Sequence, residues 1–217
     1  MRTLAIGNIH GQAEQFASLL QFVELKPSDR LITLGDYVDR GPDSRGVIEQ
    51  LIALHQTHNL VTLRGNHDMS MADAQNDPDM LDIWRVYGAE STLRSYGPGG
   101  LADVTASHWT FLNEQCQDLF ETDTHIFVHG FVAPDQPLAK QEPAQLHWTG
   151  IDDAEPHPSG KTVICGHRPQ EDGRPLDRGF GICLDTTGWL TCMDVDTTEC
   201  WQIADNLQTT RRLTLRG

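Results

Sequence analysis

Five short apolar runs in this chain end in His, Asp or Asn beside glycine. Leu4-Ala5-Ile6 leads into Gly7-Asn8-Ile9-His10-Gly11, and Leu34 opens Gly35-Asp36-Tyr37-Val38-Asp39-Arg40-Gly41. Leu60-Val61-Thr62-Leu63 precedes Arg64-Gly65-Asn66-His67-Asp68, Ile126-Phe127-Val128 precedes His129-Gly130, and Val163-Ile164-Cys165 precedes Gly166-His167-Arg168. Carboxylate, imidazole and amide oxygen are the donors that divalent metals take. Carried on glycine-bordered loops at strand ends, they can converge from distant parts of the chain, as ligands do at the carboxyl ends of strands in open α/β sheets. Of the ten histidines, His10, His67, His129 and His167 have this setting. His55, His58, His108, His125, His147 and His157 lack it and read as surface or core residues.

The elements that must position these loops follow from hydrophobic period. Leu4 to Ile6 is a first strand, and Phe16, Leu19, Leu20 and Val23 form one face of a helix over Ala13 to Val23. Arg30 to Leu34 is a second strand, Pro42-Asp43-Ser44 a helix start ahead of the stripe Val47, Ile48, Leu51, Ile52 and Leu54, and Leu60 to Leu63 a third strand. Strands alternating with helices of about ten residues imply parallel pairing through right-handed crossovers. From Met69 to Thr122 the pattern turns helical, over Met80 to Tyr87, Ser91 to Tyr96 and Val104 to Phe120, and reads as a helical insertion. Strands return at His125 to Val128, Thr162 to Cys165, Gly181 to Leu184, Leu190 to Val195 and Cys200 to Ile203, the last two flanking a hairpin turn at Asp196 to Glu199. The expected fold is α/β, or α+β in some schemes: two packed mixed sheets flanked by helices.

With 217 residues and no linker or repeat period, one domain spanning the chain is expected, with the insertion at about 69–122. A net charge of −15 argues against nucleic acid or an anionic membrane as partner. Neither a signal peptide nor a membrane-spanning stretch is visible, so a cytoplasmic monomer is expected. Five cysteines without a Cys-x-x-Cys pair read as reduced thiols, mostly on strands.

Taken in order, the five motifs resemble the metal-dependent phosphoprotein phosphatases of the calcineurin-like metallophosphoesterases, in particular bacterial and phage Ser/Thr phosphatases. Trp148 and Cys183-Leu184-Asp185-Thr186 fit the same resemblance. It implies two divalent metal ions, manganese first with iron, zinc or magnesium as alternatives. One would be held by Asn8, His10 and Asp36, the other by Asp36, Asn66, His129 and His167, with Asp36 bridging. Two such ions lie roughly 3.5–4 Å apart and share a water whose pKa they lower for in-line attack on phosphorus. The resemblance makes His67 the general acid and Asp39 its orienting partner, and places Arg40 and Arg64 on the phosphate. The implied substrate is a phosphomonoester, foremost a phosphoserine or phosphothreonine protein. From the residues alone Asp39 could equally be a loop salt bridge to Arg40, and either arginine a surface charge.

Two positions depart from the family pattern. Asn8 stands where the family has aspartate; an amide oxygen can coordinate but brings no charge, so the first metal should bind more weakly and catalysis be reduced or lost. An inactivating engineered substitution and a natural metal- or phosphoprotein-binding pseudoenzyme both account for it, and the intactness of the other motifs favours the former. Gly150 stands where phage-type relatives carry a phosphate-binding arginine; Arg168 could substitute, or simply face solvent. Dinucleoside polyphosphate hydrolases share most of these loops, but alanine often replaces Asp39 there, which tilts the sequence toward phosphomonoesters. In the insertion, Trp84, Tyr87, Tyr96 and Trp109 either roof the cleft or form the insertion's own core. Asp73, Asp77, Asp79 and Asp82 either favour basic peptides or form a solvated face.

Overall fold

A computed structural model describes residues 1–215 of the chain. In order, the elements are β1 (Thr3–Ile6), α1 (Ala13–Phe22), β2 (Arg30–Thr33), α2 (Ser44–Thr57), β3 (Asn59–Thr62), α3 (Asn66–Asp73), α4 (Pro78–Val86), α5 (Ala89–Tyr96) and α6 (Ala106–Thr110). There follow β4 (Leu119–Glu121), β5 (His125–Val128), α7 (Pro143–Trp148), β6 (Thr162–Cys165), β7 (Leu176–Asp177), β8 (Gly181–Cys183), β9 (Trp189–Asp194), β10 (Glu199–Ala204) and β11 (Thr210–Thr214). They make a six-stranded sheet in the order β11-β10-β9-β1-β2-β3 and a five-stranded sheet in the order β4-β5-β6-β8-β7. β1, β2 and β3 pair in parallel, as do β5, β6 and β8, while β9, β10, β11, β4 and β7 add antiparallel neighbours. Two mixed sheets flanked by helices are therefore observed, as the sequence predicts.

Strand alternation explains the layering, because successive side chains point to opposite faces. Leu4, Ile6, Leu31 and Leu60 pack with Phe16 and Leu19 of α1 and Val47, Ile48 and Leu51 of α2. The intervening Ala5, Ile32 and Val61 instead join Phe127, Ile164, Ile182 and Met193 between the two sheets. On the far side of the second sheet, Ile126, Val128, Val163 and Cys165 are covered by Phe131, Leu146 and Ile151. Because both faces are buried, β1 to β3 read as apolar runs, not alternating ones. The α2 start is capped by Asp43, which accepts from Gly46 N at 2.8 Å, and the hairpin joins β9 to β10. The five cysteines are free and buried, four on strands and Cys116 beyond α6.

The predicted helix over Val104 to Phe120 is a correction. Helix spans only Ala106 to Gln115, ending in a widened turn, and Leu119–Glu121 is a strand on β5, with Phe120 opposite Phe127. That outcome is set by a partner strand remote in sequence, which local period does not report. β7, β11 and α7, all short or polar, had no sequence prediction. Among the described residues, no helix is long and apolar enough to cross a membrane.

Candidate metal centre

The carboxyl ends of β1, β2, β3, β5 and β6 deliver the five motif loops to one place. Their backbones are unusual: among the described residues, non-glycine positive φ occurs at His10 (46°), Asp36 (53°), Asp39 (71°), Arg40 (66°) and His167 (64°), and at only three positions elsewhere. Each such residue costs of order 1–3 kcal/mol, and such strain persists where surrounding structure holds it. The loops also pass close to the donors. A Cβ on Gly65 would lie 2.1 Å from Asp36 Oδ1, and one on Gly166 2.4 Å from Asn8 Oδ1, so neither position admits a side chain without displacing a candidate donor.

Asp36 is the hub. His10 Nε2 lies 3.4 Å from its Oδ2, and His129 Nε2 3.4 Å from its Oδ1. Asn8 Nδ2 donates to Asp36 Oδ2 at 2.9 Å, while Asn8 Oδ1 accepts from His167 N at 3.2 Å. Asn66 Oδ1 sits 2.9 Å from His129 Nε2 and 3.0 Å from His167 Nδ1. The rings are aimed from behind: His10 Nδ1 lies 2.8 Å from Val38 O, and His129 Nδ1 2.8 Å from Leu34 O, which leaves both Nε2 atoms facing Asp36. Backbone carbonyls fixing one ring nitrogen so that the other can coordinate is the usual second tier of metal sites.

Burial pushes His10 down to about 3 and His129 down to about 4, so both are neutral, the form that binds metal. Burial also lowers His167. Asp36 is itself supplied with donors: its Oδ1 accepts from His67 N at 3.1 Å and its Oδ2 from Asn8 Nδ2 at 2.9 Å. The donor set fits a divalent cation. Nε2 of His10 is buried without a hydrogen-bond partner, and Asp36 presents an oxygen toward imidazoles on either side at distances too long for strong hydrogen bonds.

His67 stands beside this group. Its Nδ1 is 2.7 Å from Asp39 Oδ2, and its Nε2 is 3.5 Å from Arg40 Nη2. His67, His10 and Asp36 have donor atoms within 4.8 Å of one another. Because Asp39 occupies Nδ1 and the ring meets His10 edge-on with centroids 4.9 Å apart, we read His67 as adjacent to the cation donors and not among them. Burial lowers His67, but the Asp39 hydrogen bond and the charges of Asp36 and Asp39 more than offset this, leaving it above its ordinary value.

The arginines divide. Arg40 is exposed, borders the site and makes no ion pair among the described residues. Arg64 is held by the carbonyls of Leu112, Asn113 and Cys116 at 3.1–3.3 Å and by Asp118 at 3.6 Å. Arg168 pairs with Asp152 on the surface while its stem covers Gly150, where a Cβ would meet its Cγ and Cδ at 3.6 Å.

Sequence reasoning missed three supports. The Asp68 carboxylate accepts from Gly65 N, Asp36 N and Tyr37 N at 2.8–2.9 Å and so ties two motif loops together; its place next to His67 was the available signal. Trp84 and Thr92 of the insertion both bond to Asp39, for which linear sequence carries no signal. Of the other insertion aromatics, Tyr87 lies 6.2 Å from the His67 ring and 5.7 Å from Trp148. Tyr96 bonds to His108 inside the insertion. A cleft of about 240 Å³ continues from Asn8, His10 and Arg40 toward Asp185 and Asp205; Asp185 is buried, and that burial together with the charge of Asp36 raises it to about 7.

A two-sheet sandwich with these donors at its strand ends defines a metallophosphoesterase. The chain belongs to the calcineurin-like phosphoesterase family, whose sequence model matches residues 1–191. A symmetrical bis(5'-nucleosyl)-tetraphosphatase of Pseudomonas fluorescens is 38% identical over 82 residues, which is 37% of this chain and 28% of that protein. One from Pseudomonas putida is 35% identical over 82 residues, with the same coverage. The matched stretch thus spans less than a third of these relatives. A crystal structure of a candidate diadenosine tetraphosphatase has a TM-score of 0.64 at 20% identity, covering 100% of this chain and 95% of that one. A serine/threonine phosphatase from Saccharomyces cerevisiae has 0.63 at 14%, covering 100% and 81%. At such identities these likenesses show the fold. The chain is accordingly a member of the calcineurin-like phosphoesterase family whose donor set suits divalent metal.

Proposed function

We propose that this chain hydrolyses dinucleoside polyphosphates, releasing nucleoside diphosphates, with two divalent cations bound by Asn8, His10, Asp36, Asn66, His129 and His167. The observation that carries hydrolysis is the His67–Asp39 pair at 2.7 Å, with His67 Nε2 directed beside Arg40. The choice of substrate is supported by the similarity to symmetrical tetraphosphatases.

Cations bound there would lower the pKa of a water and neutralise phosphoryl oxygens. The residues supply the rest. Arg40 holds a phosphoryl oxygen on its planar fork. A water that has given up one proton to solvent bonds through its oxygen to phosphorus as the bond from phosphorus to the leaving oxygen breaks, and the proton on His67 Nε2 passes to that leaving oxygen. Asp39 holds the Nδ1 side, so the ring is aimed before substrate arrives. Asn8 lets the site form but gives it one negative charge fewer than an aspartate would, which reduces turnover.

A phosphoserine or phosphothreonine protein is the second reading, favoured by Asp39 itself, whose place is often taken by alanine in dinucleoside polyphosphate hydrolases. With manganese added, the chain and its Asn8→Asp form would be offered diadenosine tetraphosphate, a phosphoserine/phosphothreonine peptide, a phosphotyrosine peptide and an aryl phosphate. ADP release faster than phosphate release from any peptide is expected. The reverse order installs the second reading, and no hydrolysis by the metal-loaded Asn8→Asp form rejects both.

A further inference from the structure

We infer that Trp84 and Thr92, both from the helical insertion, are positioning residues that set the proton-bearing geometry of His67 through Asp39. The inference rests on the reading of His67 as proton donor to the leaving oxygen, and on nothing about which phosphoester is cleaved.

Hydrogen-bond accounting around Asp39 leaves one solution. The residue is fully buried. Trp84 Nε1 donates to Asp39 Oδ2 at 2.8 Å, and an indole nitrogen can only donate. Thr92 Oγ1 donates to Asp39 Oδ1 at 2.7 Å. That uses the single hydroxyl hydrogen of Thr92, so its lone pairs receive the Asp39 backbone N–H at 2.8 Å and the Ser44 hydroxyl at 2.9 Å. Both carboxylate oxygens are thereby met by donors. His67 Nδ1, 2.7 Å from Oδ2, must then keep its proton in the neutral and the protonated ring alike, so the proton that the ring gains and gives up is the one on Nε2, on the side of Arg40.

The same bonds hold Asp39 at φ 71°, a conformation an L-residue rarely adopts unaided. Trp84 and Thr92 are themselves fully buried, so water cannot replace either donor. Asp39 lies on the loop after β2 and His67 in the first turn of α3, but the groups that fix them come from α4 and α5. The insertion therefore completes the acid instead of merely covering the cleft.

The test compares Trp84→Phe, Thr92→Val and Thr92→Ser in the manganese-loaded Asn8→Asp protein, using aryl phosphates of graded leaving-group basicity. A substrate whose leaving group needs no proton, such as 2,4-dinitrophenyl phosphate, does not require the acid. Phenyl phosphate does. Trp84→Phe and Thr92→Val are expected to lower kcat for phenyl phosphate by about tenfold to a hundredfold, part of the range general acids supply. They should leave kcat for the dinitrophenyl ester and KM for both within about twofold, and Thr92→Ser should restore most of the loss. An equal loss on both esters, or none, overturns the inference.

In metal-free protein the downfield NMR signal of the His67 Nδ1 proton should persist in Thr92→Ser and broaden or move upfield in the other two. An unchanged signal in all three also overturns it. Because this signal needs no turnover, a chain that cleaves no ester fails the proposed function while the geometry is still decided.

Discussion

Asn8 closes the site upon itself. Its Nδ2 donates to Asp36 Oδ2 and its Oδ1 receives the His167 N–H, so the amide occupies a place between two candidate donor residues that a cation or an aspartate would contest. In Asn8→Asp a second carboxylate oxygen would face Asp36 where a donor now sits at 2.9 Å. Without metal this should destabilise the fold by about 1–3 kcal/mol, the cost of an unmatched polar group. With manganese it should tighten binding at least tenfold; paired urea unfolding and titration calorimetry check the two halves. His67→Asn should cut turnover by about 10²–10⁴-fold, the span of general acid catalysis, while manganese stoichiometry measured by elemental analysis stays unchanged. Loss of an ion would instead place His67 among the ligands.

At the scale of elements, the loops depend on one carboxylate. Asp68, in the first turn of α3, receives N–H groups from the loop after β2 and from the start of its own helix. Asp68→Ala would orphan three buried N–H groups, each costing roughly 1–3 kcal/mol. A loss of at least about 3 kcal/mol in urea unfolding is expected, with weaker manganese binding because Asp36 is no longer fixed. By contrast Asp43→Ala, which removes only the α2 cap, should cost about 1 kcal/mol and leave metal binding intact. The strands and long helices carrying the motifs were legible because their apolar period is local. The 119–121 strand was not, since its identity comes from pairing with 126–128.

For the whole molecule, the six-stranded sheet takes two strands, β10 and β11, from beyond the 1–191 family match. Gln15 of α1 donates to Ile203 O at 2.7 Å, and Trp201 and Ile203 are buried in the same cluster as Phe16. A chain stopped after Asp196 should therefore lose the native near-ultraviolet circular dichroism of the full chain. The start of β1 is tied down by Arg2, whose Nη2 meets Asp29 Oδ2 at 2.5 Å. Burial pushes the Asp29 carboxyl up, but the Arg2 hydrogen bond and the Lys26 N–H more than compensate and hold it below its ordinary value. A carboxyl so depressed adds stability that is present above its unfolded pKa near 4 and is lost as pH falls through the lower folded value. Asp29→Asn should thus reduce urea stability at pH 7, and the gap to the parent chain should narrow by pH 3.

The sequence by itself determined the strand-loop-helix order, the two-sheet fold and the candidate donors, since residue type, glycine spacing and hydrophobic period are local properties. The tertiary structure decided which groups meet. It put His10 and His129 on opposite oxygens of Asp36 and held Arg64 on the carbonyls after α6. It also laid Arg168 over Gly150 and brought Trp84 and Thr92 to Asp39. Asp39 and Trp84 are 45 residues apart in the chain. Their contact follows from how the insertion packs against the loop after β2, and no run of neighbouring residues encodes that distance.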